Sequence, residues 1–118
     1  MNPPAPVEIA VRSRSRVLRV AFDDGSAYEL PFEFLRVHSP SAEVKGHGPG
    51  QEVLVTGKEG VGVERVEPIG QYAVRIIFDD GHSTGLYTWK YLFELGRDRD
   101  ALTRRYRERV AEAARAAR

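Results

Sequence analysis

A nine-residue pattern that occurs twice limits the folds open to this chain. Residues 22–30 read FDDGSAYEL and residues 78–86 read FDDGHSTGL, so the two stretches align without gaps. Asp-Gly between two segments of alternating apolar residues is a strong signal for a β-hairpin. An aromatic-rich segment follows each copy, PFEFL after the first and YTWKYLFEL after the second. The sequence therefore predicts two units, each a hairpin followed by a short helix.

Together the two units predict an α+β fold. Helices laid on one face of an antiparallel or mixed sheet would give a two-layer domain. VEIAV and VLRVAF predict strands before the first turn, and Pro31 suits the first position of a helix in PFEFLRV. Further along, EVLVTG predicts a strand, and VERVEPIGQYAVRIIF predicts two strands that are broken at residues 68–70.

Changes in composition set the expected boundaries. The proline-rich start predicts a flexible arm over residues 1–6, followed by a folded domain over residues 7–97. Residues 38–51, HSPSAEVKGHGPGQ, predict a loop of more than ten residues. Residues 98–118 predict a charged C-terminal helix that docks weakly or meets a partner, because its apolar stripe is narrow and consists of Leu102, Tyr106, Val110 and Ala114.

The predicted core draws on both units. Its members are the apolar residues that face inward on the expected strands and helices. They are Val20, Phe22, Leu35, Val53, Val55, Val66, Tyr72, Val74, Ile76, Phe78, Leu86, Trp89 and Leu92.

Length, charge and cysteine content exclude several classes of function. The 118 residues suit one domain, and 42% hydrophobic with 30% charged residues is ordinary for a globular protein. A formal charge of +1 provides no overall field for nucleic acid, and no stretch approaches the ~20 apolar residues of a membrane span. The absence of cysteine excludes disulfides and thiolate chemistry. We expect a cytoplasmic protein that binds neither membranes nor nucleic acid.

The residues suggest no catalytic group. Ser39, Ser41, Ser83 and Thr84 lack the glycine spacing of a nucleophile elbow, and the Asp-Gly turns explain the paired aspartates. His82 follows the second turn, where a packed or hydrogen-bonding role is the commoner one. A zinc site built from His38, His47 and His82 is the alternative, although their spacing is irregular.

Two longer segments resemble a known family. LRVHSPSAEVKGHGPGQ at 35–51 and VERVEPIGQYAVRIIFDDGHSTGLYTWKYLFELG at 63–96 are similar to the N-terminal domain of γ-butyrobetaine hydroxylase and to free-standing bacterial proteins of unknown function. The resemblance covers about residues 9–96 and implies an α+β module without the oxygenase machinery. In the hydroxylase, catalysis belongs to a separate jelly-roll domain, and we expect no counterpart of it in these residues.

The resemblance also implies a metal position. Members of the hydroxylase type hold zinc with a Cys-x-Cys-x-x-Cys motif just after Leu-Arg and with a histidine in the Asp-Gly-His turn. Here the cysteine positions fall on Ser39, Ser41 and Val44, and the histidine falls on His82. Because serine is a poor zinc ligand and valine is none, the resemblance implies a degenerate zinc site.

These observations lead to one hypothesis and one alternative. The hypothesis is a non-catalytic accessory or protein-interaction module that needs no cofactor and acts through a protein partner. The alternative is a small-ligand or metal-binding protein that uses His82 with the loop histidines. A binding module would use a shallow surface, whereas an enzyme would need a pocket with converging titratable groups.

Overall fold

A computed structural model describes residues 4–46 and 52–117. The first unit contains strands β1 (Pro6–Arg12), β2 (Val17–Phe22) and β3 (Ala27–Pro31), followed by helix α1 (Phe32–Val37). A single-turn helix, α2 (Ala42–Lys45), comes next. The three strands form an antiparallel sheet in the order β1-β2-β3.

The second unit repeats this order. Strands β4 (Val63–Ile69), β5 (Ala73–Phe78) and β6 (Leu86–Thr88) form a second antiparallel sheet, followed by helix α3 (Trp89–Arg97). Helix α4 (Arg99–Ala116) completes the described chain. The α+β fold and its construction from two hairpin-plus-helix units are confirmed, with the strands divided into one three-stranded sheet for each unit.

The duplication extends to individual hydrogen bonds. In each turn the glycine has a positive φ, 89° at Gly25 and 91° at Gly81, which favours glycine at this position. The amide of Asp23 donates to the carbonyl of Ala5 at 2.9 Å, and the amide of Asp79 donates to that of Gly62 at the same distance. Helices α1 and α3 also begin alike. The amide of Phe32 donates to the carbonyl of Arg16 at 3.0 Å, and the amide of Trp89 donates to the carbonyl of Tyr72 at 2.9 Å.

The two copies differ by one residue, which corrects the gapless alignment. Ser26 and His82 are equivalent, since each directly follows the turn glycine. In the first unit the residue that pairs with Leu18 is Leu30, four positions after Ser26. In the second unit the residue that pairs with Val74, the equivalent of Leu18, is Tyr87, five positions after His82. The extra residue lies between the second turn and β6. Tyr87 is therefore the structural equivalent of Leu30 and is fully buried, and Leu86, which we expected in the core, is 36% exposed.

The core combines both units, as expected, with some changes of membership. Val20, Phe22, Leu35, Val74, Ile76, Phe78 and Leu92 are buried as predicted, and Val66 and Trp89 pack partly buried against them. Phe34 is buried as expected for the first short helix, and the pattern missed Leu18, Leu30, Phe32, Val61, Tyr87 and Leu95, which complete the core cluster. Val53 and Tyr72 are wrong predictions, since they are 52% and 54% exposed, and Val55 is only half-buried.

Three local predictions also need correction. EVLVTG contains no strand over its described residues, where an amide-to-carbonyl bond from Val53 to Val44 holds the chain against α2 instead. Part of the expected long loop forms α2. Pro68 lies within β4 because this is an edge strand, where a missing amide is tolerated, and the break follows Ile69.

The end of each unit's helical segment contacts the other unit. The end of α3 meets β3, where the space beside the α-carbon of Gly96 is filled by the Tyr28 side chain. The chain after α1 meets the start of β6, where Ser39 fills the space beside Gly85. By strand register Tyr28 in the first unit is equivalent to Gly85 in the second, and Ser39 is equivalent to Gly96. The two contacts are therefore the same contact in the two halves of the repeat. In each of them one residue is a glycine, which leaves room for the larger side chain of the other.

Helix α4 is the most exposed helix among the described residues. None of its residues is fully buried, although Leu102 packs against the core and the Tyr106 hydroxyl donates to the carbonyl of Val55 at 2.6 Å. Within residues 4–46 and 52–117, no helix has the length and apolar content needed to cross a membrane.

We expect Gly96→Ala to destabilise the protein. An added methyl carbon would lie 2.9 Å from the Tyr28 β-carbon and closer still to its ring, and overpacking of this kind costs about 1–3 kcal/mol. The melting temperature should fall by roughly 3–10 °C. Gly60→Ala is the matched control, because no atom lies within 4 Å of its added carbon. Equal melting temperatures for the two variants would contradict the close packing of α3 on β3.

Candidate functional site

The positions named by the family resemblance lie close together. Ser39 and Ser41 follow α1, and Ser41 caps α2, where its hydroxyl accepts from the amide of Glu43 at 3.2 Å. Val44 is buried on the same helix. His82 follows the second turn, where its amide donates to Asp80 at 3.0 Å. We call the cluster of Ser39, Ser41, Glu43, His82 and Thr84 the His82 corner.

Hydrogen bonds connect the members of the His82 corner. Ser39 Oγ lies 2.8 Å from His82 Nε2, and His82 Nδ1 lies 3.1 Å from Glu43 Oε2. The amide of Ser41 donates to Ser39 Oγ at 3.2 Å, and the hydroxyls of Ser41 and Thr84 are 2.7 Å apart. Glu43 is the member that sequence reasoning missed. The signal for it was the serine N-cap at Ser41, which fixes the start of α2 and hence the direction of Glu43.

The imidazole of His82 is held neutral. Burial lowers its pKa below the ordinary value of 6.5, and the charge of Arg36 lowers it further, while Glu43 acts in the opposite direction. A neutral imidazole has one donor and one acceptor nitrogen. Because the Glu43 carboxylate only accepts, Nδ1 carries the proton and Nε2 accepts the hydrogen bond of the Ser39 hydroxyl.

An ionic cluster supports the turn that carries His82. Asp80 Oδ2 lies 2.8 Å from Arg36 Nε and 2.7 Å from Lys58 Nζ. Burial alone would raise the pKa of the Asp80 carboxyl, but its bonds with Lys58, the His82 amide and Arg36 outweigh burial and hold it well below the ordinary range. The second Asp-Gly turn is therefore tied to α1 and to the segment before β4.

Tyrosine hydroxyls close the space around the His82 corner. The Tyr87 hydroxyl donates to the carbonyl of Leu35 at 2.6 Å, and the Tyr91 hydroxyl donates to the carbonyl of His38 at the same distance. Burial raises the pKa of Tyr87 far above its ordinary value, so its hydroxyl stays protonated. These two bonds satisfy carbonyls at the end of α1 that the helix itself leaves without partners.

The side chains of the His82 corner do not suit zinc. At the four positions of the family pattern, two hydroxyls, a valine and one imidazole supply too few good donors for a tetrahedral site. Within the described ranges, no three His, Cys, Asp or Glu residues are grouped as a metal site requires. Of the alternative histidine set, His38 lies half-buried with Nδ1 2.8 Å from the carbonyl of Phe34, away from the bonds of His82. His47 lies outside the described residues.

Ser39, His82 and Glu43 are hydrogen-bonded in the same order as the serine, histidine and carboxylate of a hydrolase triad. The serine and the histidine, however, are closed off from solvent. Ser39 is fully buried and His82 is 6% exposed. A nucleophile needs an open approach for the reacting atom. The cavities found among the described residues lie elsewhere and include neither side chain.

An apolar opening lies between α1 and α4. Its volume is about 410 Å³, and its walls include Phe34, Val37, Tyr106 and Val110, with His38 at one side. The His38 ring packs against Phe34, with 4.5 Å between ring centroids. We call this opening the α1/α4 groove. Of the expected site residues only His38 borders it.

We expect stability to fall on acidification below about pH 6.5. The folded state lowers the pKa of His82 and, through burial, that of His38 from 6.5, so the unfolded chain binds more protons as the pH drops. The free energy of unfolding should therefore decrease from pH 7.5 to 5.5, as measured by denaturant titration. His82→Gln and His38→Gln should each reduce this slope. An unchanged slope in both variants would contradict the buried neutral imidazoles.

Comparison with known proteins places these features in a family. The profile of the family "Gamma-butyrobetaine hydroxylase-like, N-terminal" matches residues 9–93. Among curated proteins, no match reaches significance.

Solved structures agree with this assignment. One NMR solution structure is 47% identical, with a TM-score of 0.82 over 96% of this chain and 89% of that one, and another is 43% identical, with a TM-score of 0.82 over 97% and 88%. The crystal structure of a DUF971-family protein of unknown function from Acidithiobacillus ferrooxidans ATCC 23270 is 43% identical, with a TM-score of 0.68 over 81% and 98%. With the profile match over residues 9–93 and these similar structures, this chain belongs to the gamma-butyrobetaine hydroxylase-like N-terminal family.

Proposed function

We propose that this protein is a non-catalytic accessory or protein-interaction module in which hydrogen bonds replace the family's zinc. The observation that carries the proposal is the burial of Ser39 in a connected set of bonds with His82 and Glu43. The Ser39 hydroxyl, both ring nitrogens of His82 and the Glu43 carboxylate each have a hydrogen-bond partner within the protein.

The supply of ligands favours loss of the metal. In the family pattern three thiolates and one imidazole surround zinc, and thiolates bind it far more strongly than hydroxyls do. Here Ser39 approaches His82 to hydrogen-bond distance, and Val44 adds apolar contact at a position without any donor. The same corner of the fold is thus held by direct bonds between its two sides.

The outer surface favours contact with another protein. The exposed large apolar side chains are Val7, Val11, Val53, Tyr72 and Leu86, and the α1/α4 groove adds an apolar concavity. Ser39, Ser41 and His82 of the His82 corner are buried, so recognition would use these outer side chains. Such surfaces are typical of binding modules rather than of sites with converging titratable groups.

A small-ligand-binding protein is the second candidate. The α1/α4 groove favours it, since about 410 Å³ with apolar walls suits a small organic molecule. Its histidine would be His38 rather than His82. Filling the groove with Val110→Trp should abolish ligand binding under this alternative and leave a partner that binds the strands unaffected.

We expect the purified protein to carry no stoichiometric zinc after dialysis, as measured by elemental analysis. The variant Ser39→Cys/Ser41→Cys/Val44→Cys restores the family's donors beside His82 and should bind about one zinc per chain. A chelator should then lower the melting temperature of the variant and leave that of the wild type unchanged.

Two further variants assign the ligands. Adding His82→Ala to the triple variant should weaken zinc binding, whereas adding His38→Ala should not, because His38 is bonded elsewhere. Stoichiometric zinc in the wild type that is lost in His82→Ala would overturn the proposed loss of the metal.

We also expect Ser39 to be unreactive. A fluorophosphonate probe labels an activated serine, but the Ser39 side chain is fully buried and donates to a nitrogen within a closed corner. Mass spectrometry of the treated protein should show no adduct at residue 39. An adduct that disappears in His82→Ala would show that the three side chains form a working nucleophile and would contradict the non-catalytic proposal.

A further inference from the structure

The outer edge of strand β1 forms no backbone ladder with another strand of the described chain. β1 pairs with β2 on one side only, and the two sheets of the described chain share no strand ladder. Apart from a bond from Asp23 to Ala5, just before the strand, no backbone hydrogen bond to this segment comes from outside its own sheet among the described residues. An edge strand of seven residues therefore presents unpaired amides and carbonyls to the outside.

The equivalent edge in the second unit is blocked. Pro68 in β4 pairs with Val74, and Val11 in β1 pairs with Leu18 at the same place in the repeat. Proline has no amide hydrogen, so its position in a paired strand indicates that this amide points away from the partner strand. By equivalence the amide of Val11 points outward from β1, where it is available for pairing.

We propose that β1 pairs antiparallel with β1 of a second copy of this chain, with the twofold axis at Ala10. In this register Ile9 lies opposite Val11 of the second copy, and Val11 lies opposite its Ile9. The outward amides and carbonyls of these two positions would then form the closely spaced hydrogen bonds of an antiparallel ladder. A twofold axis makes the contact self-complementary and closes it at a dimer.

Side-chain charge supports a second copy as the occupant. About Ala10, Glu8 lies opposite Arg12 of the other chain on the solvent face, and Arg12 lies opposite its Glu8. Opposite charges in directly facing positions stabilise a strand pair, and like charges destabilise it. Glu8 already lies 3.3 Å from Arg19 on the neighbouring strand, so the pairing would extend an existing row of alternating charges.

The apolar face gives the second argument. Ile9 packs partly buried against the core, while Val11 is 40% and Val7 68% exposed. Placing Ile9 opposite Val11 on each side of the axis would cover part of this surface. The contact is small, so we expect a weak dimer whose population depends on concentration. The inference rests on β1 alone and is independent of the proposed function.

Sedimentation of the full chain tests the inference. Between about 10 µM and 1 mM the average mass should rise from near 13.2 kDa toward twice that value, the range expected for a dissociation constant of about 100 µM. Val11→Pro copies the residue that β4 carries at the equivalent position, so it should fold and remain monomeric throughout this range. A wild type that stays monomeric at all concentrations overturns the proposal.

Charge exchange tests the register. Glu8→Arg and Arg12→Glu each bring like charges face to face and should weaken dimerisation by about tenfold or more, whereas Glu8→Arg/Arg12→Glu restores opposite charges and should recover the wild-type constant. Glu64→Arg, on the blocked edge strand β4, is the control and should have no effect. Melting curves verify that each variant is folded.

Three results would contradict the proposal. A dimer that survives both single exchanges and Val11→Pro does not use β1. A dimer that is lost in Glu64→Arg uses the other sheet. A folded double variant that stays monomeric excludes the register about Ala10.

Discussion

The fold depends on the exchange of contacts between its two units. Gly96 at the end of α3 packs on Tyr28 of the first unit, and Ser39 after α1 packs on Gly85 of the second. A two-layer domain buries one face of a sheet under helices, and these two contacts dock the helical segment of each unit against the other unit. The core is consequently shared, and its cluster takes members from both sheets and both helices.

The same exchange explains why one corner is polar and its equivalent is aromatic. At the corner beside Gly96, Phe22 and Tyr28 of the first unit meet Phe93 of α3 edge to face, with 5.4 to 6.1 Å between ring centroids. In the second unit Gly85 replaces the tyrosine, and the space is filled by Ser39 and its bond to His82. The aromatic corner is held by apolar packing, and the polar one by hydrogen bonds between buried groups, which remain favourable only while every partner is present.

Sequence reasoning was strongest where the signal is local. The Asp-Gly turns, the strand alternation and the two short helices all come from residues close along the chain, and their fold class was predictable. The register of β6 was not predictable from the sequence. The extra residue after His82 leaves the hairpin signal unchanged, and its only effect is to change which side chains of the strand are buried. Tyr87 was missed for this reason, since moving the register by one position places Leu86 outside.

The candidate site shows the same limit. The family pattern indicated the positions of Ser39, Ser41, Val44 and His82, and the structure brings their elements together. It could not indicate Glu43 or the roles of Arg36 and Lys58, because no family motif requires a carboxylate or ion pair there and their partners lie far along the chain. The short helix α2 escaped notice within a segment rich in glycine and proline, where composition favours a loop.

The bond between Ser39 and His82 joins residues that are 43 positions apart. The hairpins can close early, because their contacts are local, but this bond must wait until both units have formed and docked. In the native protein the reverse order applies, and segments held by few distant contacts open before the strands do. The short segment around α2 belongs to neither sheet, so we expect it to open to solvent without unfolding of either sheet.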